Sequence, residues 1–143
     1  MNRATREELR RAIPSDLAER IDVQDPVAPH RVIEGLHGHH VGLLFDRPVT
    51  RNAELSSPNK LFEYLMAGLA IVARALEGLA FVDEERVGVT FEPGSPASIA
   101  EALERLAADP VLLGVLRANA RSAAVERYNA DAQRDALATA WRR

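Results

Sequence analysis

The amino-acid sequence predicts an α/β fold, a parallel sheet with flanking helices. Two observations carry this. The apolar runs Val41-Gly42-Leu43-Leu44-Phe45 and Leu69-Ala70-Ile71-Val72-Ala73 are continuous rather than alternating, which marks strands buried on both faces. Around them lie segments with helical spacing and recognisable start and stop residues, so strands alternate with helices along the chain.

Taken in order, Ala4 to Ile13 holds helix formers with Leu9, Ala12 and Ile13 on one side. Pro14 interrupts it, and Ser15-Asp16 suits the start of a short second turn. Ile21-Asp22-Val23-Gln24 is a candidate short strand. Pro26 and Pro29 punctuate the loop that follows, and Pro29 suits the first position of a helix carrying Val32, Ile33 and Leu36. After the run at Val41, a polar loop is predicted from Asp46 to Ser57, then a helix from Pro58 to Ala67 closed by Gly68. The run at Leu69 is the second buried strand. A short helix around Leu79 to Glu85 leads into a third, Val87 to Phe91. Ser95 is placed as an N-cap, with Pro96 at the first helical position. Everything beyond is helical. Ile99, Leu103 and Leu106 share one spacing, Asp109-Pro110 restarts a helix with Leu112, Val115 and Leu116 inward, and Asn129 caps the last one, ending at Trp141.

The 143 residues suit one domain, 1–143, without repeats or an interdomain linker. A net charge of -3 and a pI of about 5.8 offer no basic field for nucleic acid or an anionic membrane. The chain has no cysteine, which excludes disulfides and thiolate metal sites. No apolar run approaches the roughly 20 residues that span a bilayer, so no transmembrane segment is expected. The start MNRATREELRR lacks the apolar stretch of a signal peptide, and the expected localisation is cytoplasmic.

The segment with chemical content is Ser56-Ser57-Pro58-Asn59-Lys60-Leu61-Phe62-Glu63-Tyr64-Leu65-Met66-Ala67-Gly68. It follows a buried strand, where parallel sheets place their ligands. Ser57 is read as N-cap and Pro58 as first helical residue, so the amides of Asn59, Lys60 and Leu61 would point outward as an anion site. Lys60, the only lysine in the chain, adds a full charge there. A cation at a helix start opposes the macrodipole, an arrangement that makes sense if an anion such as phosphate sits between them. Glu63, one turn on, shares that face and suits a ribose diol, while Leu61, Phe62 and Leu65 can face the sheet. The plainer reading is a solvated Lys60–Glu63 pair worth at most ~0.5 kcal/mol.

SPNKLFEYLMAG followed by LAIVA resembles the P-x-K-x-x-E-Y-x-x-x-G-x-P-V-V region of GT-B glycosyltransferases, especially the retaining, family-4-like group. VGLLFDRP resembles the family strand before it, GVTFEPG the one after, and SPASIAEALERLAADP the next helix. RSAAVERYNADAQRDALATAW resembles the closing helices, so the likeness runs from about Arg6 onward. It implies a Rossmann-like donor-binding half that takes a UDP- or GDP-sugar and transfers the sugar with retention. The nucleotide sugar is a substrate, and no metal or other cofactor is implied. By position, Glu63 would be the second glutamate of the family's E-x7-E pattern, on the ribose, and Lys60 would contact the diphosphate. Ser56, Ser57 and Asn59 would contact the phosphates or sugar. No catalytic residue is assigned. Three positions depart from the pattern. Leu55 stands where the first glutamate belongs, with Glu54 one residue out of register; Ala70 replaces the usual proline, and His40 a common aspartate.

A family member also has an acceptor-binding N-terminal domain, for which this chain has no room. Its donor domain opens with a central strand, and this chain begins at the helix after it. In the family's sheet order that absent strand would sit between Ile21–Gln24 and Leu69–Ala73, leaving unpaired edges in mid-sheet. A second chain supplying domain and strand, closure of the two neighbours, or a longer parent protein would each answer this. The runner-up function is a non-catalytic module derived from a transferase that docks through exposed helices. His37-Gly38-His39-His40 is read as a polar turn rather than a metal site, Glu84-Glu85 and Glu7-Glu8 as solvated faces, and Glu77-Gly78 as a turn that could approach the donor.

Overall fold

The computed structural model describes residues 3–45 and 50–141. The chain divides into two compact units, with the boundary between Val32 and Ile33.

In the first unit, α1 (Arg3–Ala12) ends before Pro14, and a single 3-10 turn, Ser15–Leu17, follows. The segment Ile21–Gln24 is not a strand. A strand needs a neighbouring backbone to ladder with, whereas here an arginine takes the exposed carbonyl: Arg10 Nη2 donates to Val23 O at 2.6 Å. Arg6 and Arg10 also approach the Asp25 carboxylate, at 3.4 and 4.0 Å. Pro29 opens a 3-10 turn, Pro29–Arg31, that runs into α2 (Val32–Leu36) across the boundary.

The second unit holds β1 (Val41–Leu44), α3 (Arg51–Leu55), α4 (Asn59–Ala67), β2 (Ala70–Arg74), α5 (Phe81–Glu84), β3 (Gly88–Phe91), α6 (Pro96–Ala108), α7 (Pro110–Glu126) and α8 (Ala130–Trp141). The strands form one parallel sheet in the order β1-β2-β3. In register, Val41 stands beside Ala70 and Ile71 beside Gly88. β2 thus has a strand on each flank, so the gap expected next to Leu69–Ala73 does not exist. Its residues Ala70–Ala73 are wholly buried. β1 departs from expectation. It is an edge strand among the described residues, its burial alternates, and Phe45 just beyond it is 58% exposed. A continuous apolar run guarantees two covered faces only when neighbours lie on both sides.

Helices cover both faces of this sheet. On one, Leu61 and Leu65 of α4, Val82 of α5 and the small residues Ala120, Ala123 and Ala124 of α7 close over Ile71, Ala73 and Leu44. On the other, Ala102 and Leu106 of α6 and Leu116 of α7 meet Ala70, Val72, Val89 and Phe91. Each fully buried leucine contributes roughly 1.5–3 kcal/mol. Caps fix the helix starts. Ser98 N donates to Ser95 Oγ at 3.1 Å, and Leu112 N to Asp109 Oδ1 and Ala132 N to Asn129 Oδ1, both at 2.9 Å. Among the described residues no helix is long and apolar enough to cross a membrane.

Candidate functional site

The carboxyl ends of three parallel strands deliver three loops to one edge of the sheet, where such folds bind ligands. The predicted polar loop after β1 is interrupted by α3, whose Thr50 hydroxyl accepts from Ala53 N at 3.2 Å. Residues 46–49 of that loop lie outside the described residues. Thr50 followed by a run of helix formers was the unread signal for this cap.

Side chains lace the loop after β1 to the loop after β2. Ser57 Oγ donates to the Gly78 carbonyl at 2.9 Å. Arg51 forks between two carboxylates, Glu54 Oε2 at 3.0 Å and Glu77 Oε2 at 2.8 Å. Those hydrogen bonds, Glu54 first and Glu77 next, raise the Arg51 pKa above its ordinary value. Arg74 Nη2 donates to the Phe45 carbonyl at 2.9 Å. The two loops also touch backbone to backbone. A Cβ on Gly78 would stand 2.5 Å from the Leu55 carbonyl carbon and oxygen, so only glycine permits the approach.

Two expectations about the helix start change. Ser57 does not cap α4, because its hydroxyl is spent on Gly78; the N-cap is Pro58, which has no side-chain bond to give. The Leu61 amide does not point outward either, since it returns to the Pro58 carbonyl at 3.0 Å. Asn59 and Lys60 are exposed in the first turn, and Glu63 is half-buried one turn on. Among the described residues the Glu63 side chain makes no hydrogen bond or ion pair. Ser56 ends α3, its hydroxyl donating to the Ala53 carbonyl at 3.4 Å. The structure thus brings Ser56, Ser57, Asn59, Lys60 and Glu63 to one lip of the sheet. It also assigns Glu54 and Glu77 to the Arg51 network.

The far end of α4 is equally determined. Gly68 takes the left-handed conformation (φ 71°), and the amides of Gly68 and Leu69 bond back to Leu65 and Tyr64. Two carbonyls there are taken by α7: Arg117 Nε donates to Gly68 O at 3.0 Å and Arg121 Nη1 to Met66 O at 2.5 Å. A separate cavity of about 370 Å³ is lined by Phe62, Tyr128 and Gln133. Tyr128 donates to Glu85 Oε1 at 2.7 Å, and Arg127 holds the other carboxylate oxygen at 2.7 Å. Among the described residues no three His, Cys, Asp or Glu side chains stand close enough to hold a metal ion.

A parallel layer with helices on both faces and its crossover loops gathered at the carboxyl edge defines a Rossmann-like α/β domain, of the type that forms a GT-B half. Residues 2–109 match the family model of Glycosyl transferases group 1, and the chain belongs to that family. The match runs through the sheet, α4 and α6 to the N-cap of α7. No curated protein and no solved structure matches the chain. The family's chemistry is glycosyl transfer.

Proposed function

We propose that this domain binds a nucleotide diphosphate sugar, a UDP- or GDP-sugar, at the carboxyl edge of its sheet, as the donor for transfer with retention. The observation that carries the reading is the start of α4. Exposed Lys60 and half-buried Glu63, three residues apart on one helix, sit at that edge beside a loop anchored through Ser57 and Gly78. Lys60 and the helix dipole stabilise the diphosphate, including the charge it gains as leaving group. Glu63 accepts the hydrogen bonds of a ribose diol. Asn59 and Ser56 supply polar contacts around them, and Ser57 acts by holding the loop rather than by touching the ligand. The anchored geometry supports the reading because loops already fixed lose little freedom when a ligand arrives.

Calorimetric titration with UDP, GDP and their sugar conjugates tests this. Lys60→Ala should weaken diphosphate binding by ~1–3 kcal/mol, the range for a charged hydrogen bond. Glu63→Gln should weaken ribonucleotides more than their 2′,3′-dideoxy analogues. Unchanged affinity in Lys60→Ala would remove the phosphate role, and equal losses in Glu63→Gln the ribose role. A well-folded chain that binds no nucleotide would instead favour a non-catalytic docking module.

A further inference from the structure

Arg74 is the one charged residue of β2, following four fully buried apolar residues. In register it stands level with Phe91, the last residue of β3, and its guanidinium carbon lies 6.0 Å from the centre of the Phe91 ring. On the other side its Nη2 reaches the carbonyl of Phe45, directly after β1. The guanidinium therefore spans the carboxyl ends of all three strands, on the lip that carries Ser57 and Lys60. Among the described residues no carboxylate pairs with it, and its Nε is buried without a hydrogen-bond partner. A half-buried cation and an unmet buried donor are both unfavourable unless an anion or acceptor compensates them. Arginine's planar fork of donors matches phosphate oxygens.

We propose that Arg74 is a second anion-contacting residue of the donor site, donating to a phosphate oxygen of the bound nucleoside diphosphate. The proposal rests on the donor reading above and extends the site from the α4 start to the end of β2. The competing role is purely structural, a staple from the Phe45 carbonyl to the Phe91 ring, and the experiment separates the two.

The full chain, Arg74→Gln, Arg74→Lys and Lys60→Ala are titrated calorimetrically with UDP and GDP, and with uridine and guanosine as phosphate-free controls. Arg74→Gln should lose about tenfold or more in diphosphate affinity, as expected for a charged hydrogen bond, with nucleoside binding unmoved. Arg74→Lys should recover part of the loss. If Lys60→Ala weakens diphosphate binding while a folded Arg74→Gln binds as the parent does, the donor reading stands and the assignment of Arg74 falls. If the parent binds neither diphosphate, the donor reading fails and the assignment falls with it. Should Arg74→Gln lose its cooperative melt, the guanidinium Nε resonance of the parent, identified by its absence in Arg74→Lys, is followed instead. A shift with UDP or GDP that the nucleosides do not produce supports the contact, and an unmoved resonance overturns it.

Discussion

α1 and α4 are helices of 10 and 9 residues, and both place apolar side chains at helical spacing. In α4, Leu61 and Leu65 are fully buried, whereas in α1 Leu9 stays 46% exposed. The polar contacts differ in the same sense. Glu85, which serves Tyr128 and Arg127, has a side chain 18% exposed, while Asp25, which serves Arg6 and Arg10, is 78% exposed. The spacing of apolar residues makes a helix amphipathic, but a layer must be present to receive its stripe. α4 has β1 and β2 beneath it and α7 beside it. In the unit that holds α1, no residue of described burial is buried.

The sharpest way to break this contrast is at the core of the second unit. Leu65→Ala should lower unfolding stability by about 2–5 kcal/mol, as for other buried leucines; a loss under about 1 kcal/mol in urea denaturation would mean that α4 is not held by its stripe. Next in size is Gly78→Ala. The added methyl meets the Leu55 backbone and forces the laced loops apart, costing about 1–3 kcal/mol. Nucleotide affinity should fall with it, and a variant of parental stability and affinity would show that the close approach is dispensable. A smaller effect is expected at Tyr128. Burial, and then its hydrogen bond to Glu85, push its pKa up to about 12. The folded state therefore holds this proton more tightly than the unfolded chain, whose tyrosines titrate near ~10. The stabilisation is complete below pH ~10 and is lost as pH rises toward the folded value. Denaturation midpoints should decline across that window in the parent and much less in Tyr128→Phe; parallel curves would refute the assignment. Leu9→Ala, at the other end of the comparison, should shift stability by no more than about 0.5 kcal/mol.

Much of the second unit was legible in the sequence because its signals are local and agree. The run at Leu69 is continuous and is central in the sheet; Gly68 follows the last apolar turn and is left-handed; Ser95 and Asn129 cap the helices they precede. The misreadings fall where the outcome depends on partners distant in sequence. Ile21–Gln24 has strand-like composition but an arginine in place of a ladder. Ser57 has the right chemistry for a cap, and Gly78, 21 positions away, takes its hydroxyl instead. Within the candidate site, α4 itself was visible from Pro58 before it and Gly68 after it. The lacing of Arg51, Arg74 and Gly78 was not, although a lone arginine closing the run LAIVAR was a signal that could have been read.

The arginines of α7 that hold the end of α4 have a bearing on how the chain is made. Arg117 and Arg121 reach carbonyls 49 and 55 positions behind them. On a ribosome, synthesis runs from the N-terminus at roughly 5–20 residues per second. The strands, α4 and its lysine are then all joined before the residues that lock α4's trailing end. Over those seconds the start of α4 is already joined, while its trailing end still lacks the two arginines that α7 supplies.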